Sequence, residues 1–343
     1  MDFREPRQVG AILQINGDHP LCRRNAPKKY VWQASLDGQT WDDLPETRVR
    51  DERRTFRIHR LKHFRQLRYL RLHIDEADGD SPVLREVEFY SNPDAKIAFP
   101  HWSVVVSTTG EKKVPGAGTD FIRLARSCRG WESMQAQNVW LGDFDEVFLA
   151  VEPRPLCAFL SGNFIDWCQQ ERTHWRGVQA VLKNKRLPMW AACGGAQGLA
   201  ILAETGVDQP WDCPQCRDPQ RPKLPIYTHI AGSKKVKCSD YSGCIFERGP
   251  HTIVQISNDP VFAGLGRTFQ TMESHCGQIG WAPKGWVQIA TCGPEGKTKM
   301  QCLRLRDRYV YAAQFHIEMD GTPQSSRRIM GNFLDLAEKW SRR

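Results

Sequence analysis

The stretch Pro188–Glu204 reads Pro-Met-Trp-Ala-Ala-Cys-Gly-Gly-Ala-Gln-Gly-Leu-Ala-Ile-Leu-Ala-Glu. A short apolar strand stops at Cys193 and a helix begins at once, which is the layout of a nucleophile elbow. The turn sets the thiol at the carboxyl edge of a sheet, and small neighbours (Ala191, Gly194, Gly195) leave room for the tight backbone and a substrate. The amino end of the following helix favours negative charge at the sulfur and can hold a developing oxyanion. A cysteine nucleophile also needs a histidine to manage the leaving-group proton and a third group to orient that histidine. Tyr309–Phe315 reads as a strand, with His316 and Glu318 just beyond it, two positions apart and so able to point the same way. The expected catalytic set is Cys193 as nucleophile, His316 as base and Glu318 as its orienting acid.

The elements that must hold this set lie in a chain of 343 residues, a length that suggests two domains. No apolar run approaches the roughly 20 residues of a membrane-spanning helix. The first twenty residues carry Asp2, Arg4, Glu5, Arg7 and Asp18 instead of a secretory pattern, so the expected compartment is the cytoplasm. The net charge of +9 permits an anionic partner without requiring one. Twelve cysteines, spread through apolar segments, favour reduced thiols, a metal site or a catalytic Cys over a disulfide framework.

Residues 1–95 read as short strands with turns, residues 100–343 as apolar strands alternating with helices, and the boundary falls in Ser91-Asn92-Pro93-Asp94. In the first part, Tyr30, Trp32, Ala34 and Leu36 alternate with Val31, Gln33 and Ser35, and Asp37-Gly38 supplies a hairpin turn. Phe56 and Ile58, then Leu70, Leu72 and Ile74, then Val83, Val87 and Phe89 continue the alternation, and a small antiparallel β-sandwich is expected. Arg48 to Arg71 contains ten Lys or Arg against two acids, which suits either a solvated outer face or a surface for phosphate or sulfated sugar.

In the second part, Trp102–Ser107 reads as a strand buried on both faces. A glycine-rich loop through Gly110, Gly116 and Gly118 leads to a helix with Phe121, Leu124, Ala125 and Cys128 on one face. Strands at 147–151 and 156–161, a helix carrying Trp175, Val178, Val181 and Leu182, and the strand entering at Pro188 give a doubly wound, mostly parallel α/β sheet. A closing helix presents Ile329, Met330, Phe333, Leu336, Ala337 and Trp340 as a core stripe. No G-x-x-x-x-G-K-[ST] occurs, so no ATP site is expected.

Pro188–Gln197 with Gln314-Phe-His-Ile-Glu318 resembles the paired elbow and Q-F-H-P-E motifs of class I glutamine amidotransferases, over residues 100–343. The resemblance implies that Leu160-Ser-Gly-Asn163 is the family's S-G-G oxyanion segment, and that Gly162 and Gly194 offer N–H donors. It further implies that Gln197 sits against the bound glutamine, and that Ser274 and His275, within Glu273-Ser-His275, hold its amino-acid end. Ala191 replaces the usual Gly, Asn163 the second Gly of S-G-G, and Ile317 the Pro of the last motif. The implied reaction is glutamine amide hydrolysis through a thioester, with ammonia passing to a synthase on a separate chain and no cofactor for catalysis. A stand-alone hydrolase of γ-glutamyl amides remains open. So does a non-catalytic binding protein built on a degenerate scaffold. Residues 8–92, with "SLDGQTW" and "LRYLRLHI...PVLREVEFY", resemble part of a discoidin (F5/8 type C) domain, which implies a glycan or anionic ligand.

Trp211-Asp-Cys213-Pro-Gln-Cys216 has the spacing of a zinc knuckle, and Cys238 and Cys244 can complete a four-sulfur structural zinc site. Packed thiols are the alternative. Cys128, Cys157, Cys168, Cys276, Cys292 and Cys302 lie in apolar or strand contexts and read as small buried residues.

Overall fold

The computed structural model describes residues 1–17, 25–52, 56–95, 102–108, 119–144, 154–163, 165–183, 187–208, 211, 226–232 and 241–341. The chain divides into two compact units, Met1–Pro100 and His101–Arg343.

The first unit holds β1 (Asp2–Asn16), β2 (Pro27–Ser35), β3 (Asp42–Asp43), β4 (Phe56–Ala77) and β5 (Leu84–Tyr90). They form one antiparallel sheet in the order β3-β2-β4-β1-β5, where the sequence led to a two-sheet sandwich. The reason lies in β4, whose 22 residues pair with β1 along one half and with β2 along the other. Register shifts between Asp2 and Arg7 and between Val9 and Ala11 interrupt the β1–β4 ladder, and such bulges bend a long strand without ending its pairing. Val9, Ile12, Trp32, Leu61, Leu67 and Leu70 form the core. The Asp37-Gly38 turn forms as expected: Gly38 has φ +77, and Asp37 Oδ1 accepts from Gln39 N (2.7 Å) and Thr40 N (2.8 Å). Leu36, expected in the apolar row, stands 63% exposed at that turn. The basic stretch is partly consumed internally. Arg48 pairs with Asp43, Arg57 with Glu52 and Arg68 with Asp2, Arg60 donates to Pro93 O, and Arg71 donates to Gln33 and lies over Trp41.

The second unit runs β6 (Trp102–Ser107), α1 (Thr119–Arg126), β7 (Gln135–Trp140), β8 (Cys157–Leu160), α2 (Arg176–Lys183), β9 (Met189–Ala192), α3 (Gly194–Thr205), β10 (Tyr227–His229), β11 (Glu247–Gln255), β12 (Thr268–His275), β13 (Gly277–Ile279), β14 (Trp286–Cys292), β15 (Cys302–Leu305), β16 (Val310–Ala313) and α4 (Gln324–Ser341). Nine strands form one sheet in the order β12-β11-β14-β15-β16-β9-β8-β6-β7, while β10 and β13 pair separately. The expectation of a mostly parallel sheet is corrected here. The four pairings from β16 through β9, β8 and β6 to β7 are parallel, and the four among β12, β11, β14, β15 and β16 are antiparallel. A parallel pair needs a crossover of a dozen or so residues, usually an α-helix, and no α-helix lies between consecutive strands from β11 to β16.

The central strands β6, β8, β9 and β16 are buried throughout, as strands covered on both faces must be. Phe159 of β8 stacks on Phe121 of α1 at 5.1 Å and meets Phe333 of α4 at 5.7 Å, which puts these helices on one face. The alternate residue Leu160 touches α3 at Gly195, and α2 packs on α3, so the second helix pair covers the opposite face. The expected core residues of these helices are buried except Leu124, Leu182 and Trp340, which are half-buried, and Trp340 packs edge-on against Tyr309 at 5.4 Å. The strand expected at 147–151 and the loop glycines Gly110, Gly116 and Gly118 lie outside the described residues. No helix among the described residues is long and apolar enough to cross a membrane.

Candidate active site

Cys193 joins β9 directly to α3 with φ 48 and ψ −113, a conformation that costs an L-residue energy and persists only where its surroundings impose it. Here the constraint comes from both sides. Cys193 N donates to Ala313 O at 2.8 Å, tying the turn to β16, and Gln197 N donates back to Cys193 O at 3.0 Å to start the helix. A Cβ at Gly194 would stand 2.3 Å from Asn163 N, and one at Gly195 would stand 2.6 Å from Ser161 O. The loop after β8 thus presses against the helix start so closely that only glycine fits. At Gly198 a Cβ would fall 2.0 Å from the Trp175 ring, so the same helix also seats α2's aromatic neighbour.

The residues expected to act together do meet. Cys193, Gly162, His316 and Glu318 line one cavity of about 420 Å³. His316 Nδ1 lies 2.6 Å from Glu318 Oε1, and both side chains are buried. His316 N donates to Met272 O at 2.8 Å, which anchors this segment to β12. Burial alone disfavours the imidazolium. The Glu318 charge, together with the polar interactions of the ring with Cys193 and Glu318, outweighs it and raises the His316 pKa well above 6.5. With Nδ1 engaged by Glu318, Nε2 is the ring nitrogen left for the reaction. The Cys193 thiol is turned toward Ser274 O, 3.7 Å away.

Gly162 stands at the junction: a Cβ there would lie 3.6 Å from His316 Cε1 and 3.8 Å from Cys193 Cβ. Gly194 is the first helical residue, so its N–H is one of the unpaired donors of a helix start. The loop between them is braced by groups that sequence reading missed. Thr108 Oγ1 donates to Gly162 O (2.8 Å), and Gln170 Nε2 donates to Thr108 O (3.1 Å) and Asn163 Oδ1 (2.9 Å). Asn163 Nδ2 donates to Ile165 O at 2.7 Å, so the residue that departs from S-G-G uses its amide to build the loop. Glycine in that position has no such amide.

Gln197 lines the cavity with its amide fully used. Nε2 donates to Gly277 O (3.0 Å) and Gln314 Oε1 (3.1 Å), and Oε1 accepts from Trp167 Nε1 (3.3 Å). Its side chain fastens the helix to β13 and to the residue before Phe315. Ser274 is exposed at the cavity rim. His275 is buried between Glu273 Oε2 (2.8 Å), Glu247 Oε2 (3.6 Å) and Gly277 O (2.9 Å). It braces β11, β12 and β13 as well as facing the cavity. Burial raises the Glu247 carboxyl, but hydrogen bonds from Thr298 and Lys297 and the nearby His275 lower it overall. Glu273 lies two positions before His275 on β12 and so shares its face, whereas Glu247 carries no motif spacing and meets His275 only through the β11–β12 pairing.

Of the expected zinc set, Cys213, Cys216 and Cys238 lie outside the described residues. Among the described residues, Cys244 lies beside His229 and Cys276. Cys276, read from sequence as a small buried residue, is corrected: it is half-buried and lines the cavity. Cys128, Cys157, Cys292 and Cys302 are buried as expected.

No protein-family model matches the chain. The chain is similar to glutamine-hydrolysing GMP synthases. One from Thermosipho africanus is 28% identical over 102 residues, and one from Thermosipho melanesiensis is 29% identical over 89 residues. These matches take in 28% and 26% of this chain, and the chain spans only 19% and 17% of those proteins. Among solved structures, a protein from Thermoplasma acidophilum described as one component of a GMP synthase aligns with 71% of this chain and 96% of its own, at 18% identity and a TM-score of 0.49. A glutamine amidotransferase from Thermotoga maritima aligns with 71% and 91%, at 15% identity and a TM-score of 0.43.

Proposed function

We propose that the second unit is a cysteine-dependent glutamine amidotransferase that hydrolyses the side-chain amide of glutamine. The observation that carries this reading is the strained Cys193 turn, facing a His316 imidazole that is held by Glu318 within one cavity. The Cys193 sulfur attacks the amide carbon, and its proton passes to His316 Nε2. The oxyanion is received by the N–H groups of Gly162 and Gly194. Collapse of the tetrahedral intermediate breaks the C–N bond, and His316 gives its proton to the departing ammonia. Water, deprotonated by His316, then cleaves the thioester to glutamate and restores the thiol. The balance is glutamine plus water to glutamate plus ammonia.

Recognition of the amino-acid end suits the rim, where Arg248 and the carboxylates of Asp166 and Asp120 place opposite charges for an α-carboxylate and an α-ammonium. The ammonia is passed to a synthase on a separate chain, a role in keeping with the similarity to GMP synthases. The first unit is a binding module for a glycan or anionic surface, and the charge count of Arg48 to Arg71 is its support.

Incubation with an electrophilic glutamine analogue, followed by mass spectrometry, tests the enzymatic reading. One adduct at Cys193, prevented by excess glutamine, is expected, and Cys193→Ala is expected to lower ammonia release by about 10⁴-fold or more. Protection by another γ-glutamyl amide but not by glutamine would favour the stand-alone hydrolase. Uniform labelling of the thiols would overturn the assignment.

A further inference from the structure

Three side chains of metal-ligating type from separate segments converge beside the cavity, which one of them, Cys276, lines: His229 at the end of β10, Cys244, and Cys276 between β12 and β13. Their ligand atoms all lie within 4.8 Å of one another, with Cys276 Sγ 4.0 Å from His229 Nδ1. Tetrahedral zinc, with bonds of about 2.3 Å to sulfur and 2.05 Å to nitrogen, holds its ligand atoms about 3.6–3.8 Å apart. The trio reaches that geometry by closing about 1 Å or less, a side-chain adjustment.

The backbone is already arranged for it. Ile230 N donates to Cys276 O at 2.7 Å, and Ile230 O accepts from Ile245 N at 2.9 Å, so the neighbours of His229 are laced to both cysteine segments. His229 also pairs with Gly277 across β10 and β13, and Ala231 bridges to Cys244. Tyr227 and Tyr241 stand edge-on to the His229 ring at 5.5 and 5.6 Å and hold its orientation, as the surroundings of metal ligands do.

We infer that His229, Cys244 and Cys276 bind one zinc ion, with a fourth exchangeable ligand. Two thiolates and an imidazole match the soft and borderline preferences of this metal. Because Cys276 lies two residues beyond Ser274, whose carbonyl accepts from Cys193, the ion clamps the segments around His229 and Cys244 to the wall of the reaction cavity. This assignment stands independently of the proposed glutamine chemistry.

The test is zinc titration of the chelator-stripped full chain against a chromophoric indicator, with Co²⁺ substitution read by absorption. One metal per chain is expected, with affinity reduced more than about 10-fold in His229→Ala, Cys244→Ser and Cys276→Ser. It should be unchanged in the Cys213→Ser/Cys216→Ser double variant and in Cys302→Ser. The Co²⁺ protein should show tetrahedral bands with a two-thiolate charge-transfer intensity, which decides the matter in the wild type even where a variant fails to fold. Absence of binding, a four-thiolate spectrum, undiminished affinity in Cys276→Ser, or a Cys244–Cys276 disulfide in freshly isolated protein would overturn the inference.

Discussion

Cys193 and Cys276 line the same cavity, yet the two regions that hold them prepare the sulfurs for different work. At the elbow, Cys193 sits at φ 48 on a helix start, with glycines against it and an imidazole held by Glu318 nearby. At the corner between β12 and β13, Cys276 lies beside a second thiol and the His229 ring. The contrast shows that burial and residue type do not decide a cysteine's role. The backbone and side chains assembled around the sulfur differ instead: a strand-to-helix turn with a histidine–glutamate pair at one, a histidine and a second thiol at the other.

The largest effect expected is in thiol reactivity. Burial raises the pKa of Cys302 and Cys157 far above the ordinary thiol value, with Asp259 adding to it at Cys302. Iodoacetamide at neutral pH, followed by peptide mapping, should modify Cys193 at least about 10³-fold faster than either. Comparable rates would erase the comparison.

Glu318→Gln removes the charge that offsets the burial of His316. Turnover at neutral pH should fall by roughly 10²-fold or more. The acid limb of the pH–rate profile, which reports deprotonation of the His316 imidazole that must accept the Cys193 proton, should move to lower pH because the His316 pKa is no longer raised. In the wild type the same pair stabilises the fold fully below about pH 6.5, and that contribution is lost as pH rises through the higher folded-state value. A limb that stays in place in Glu318→Gln would show that Glu318 does not tune His316.

Two glycine substitutions separate folding from chemistry at the elbow. In Gly194→Ala the new Cβ meets Asn163 N at 2.3 Å, a backbone contact, and a loss of about 1–3 kcal/mol in urea unfolding is expected. In Gly162→Ala the nearest atoms are at 3.6 and 3.8 Å, so stability should hold while turnover falls, since the methyl group enters the space between Cys193 and His316. The smallest effect belongs to Asn163→Gly, which restores the S-G-G pattern but deletes the bonds to Ile165 and Gln170. A loss of about 1 kcal/mol is expected by thermal or urea melting, and a gain in stability would contradict the bracing role.

The elbow was legible because its requirements are local: strand, turn and helix follow one another within Pro188–Glu204, and each residue type states its conformational need. The buried central strands were legible from apolar runs such as Trp102–Ser107. The antiparallel half of the large sheet was not, because β14 and β15 carry apolar residues in patterns that fit either direction of pairing. Of the cysteines grouped by closeness in sequence, only Cys244 lies among the described residues, and the grouping left out the neighbours it has there. His229 and Cys276 are 47 residues apart and meet only through the β10–β13 pairing.

The sequence by itself determined the strand-to-helix turn at Cys193, the two-residue spacing of His316 and Glu318, and the division into a strand-rich first part and an α/β second part, since each follows from conformational preference within a few residues. Only the tertiary structure decided that Asn163 crowds Gly194, that Gln197 spends its amide on Gly277, Gln314 and Trp167, and that Cys276 faces the cavity with His229 and Cys244. Those contacts join segments far apart in the chain, and no local preference records a distance set by packing two elements against each other.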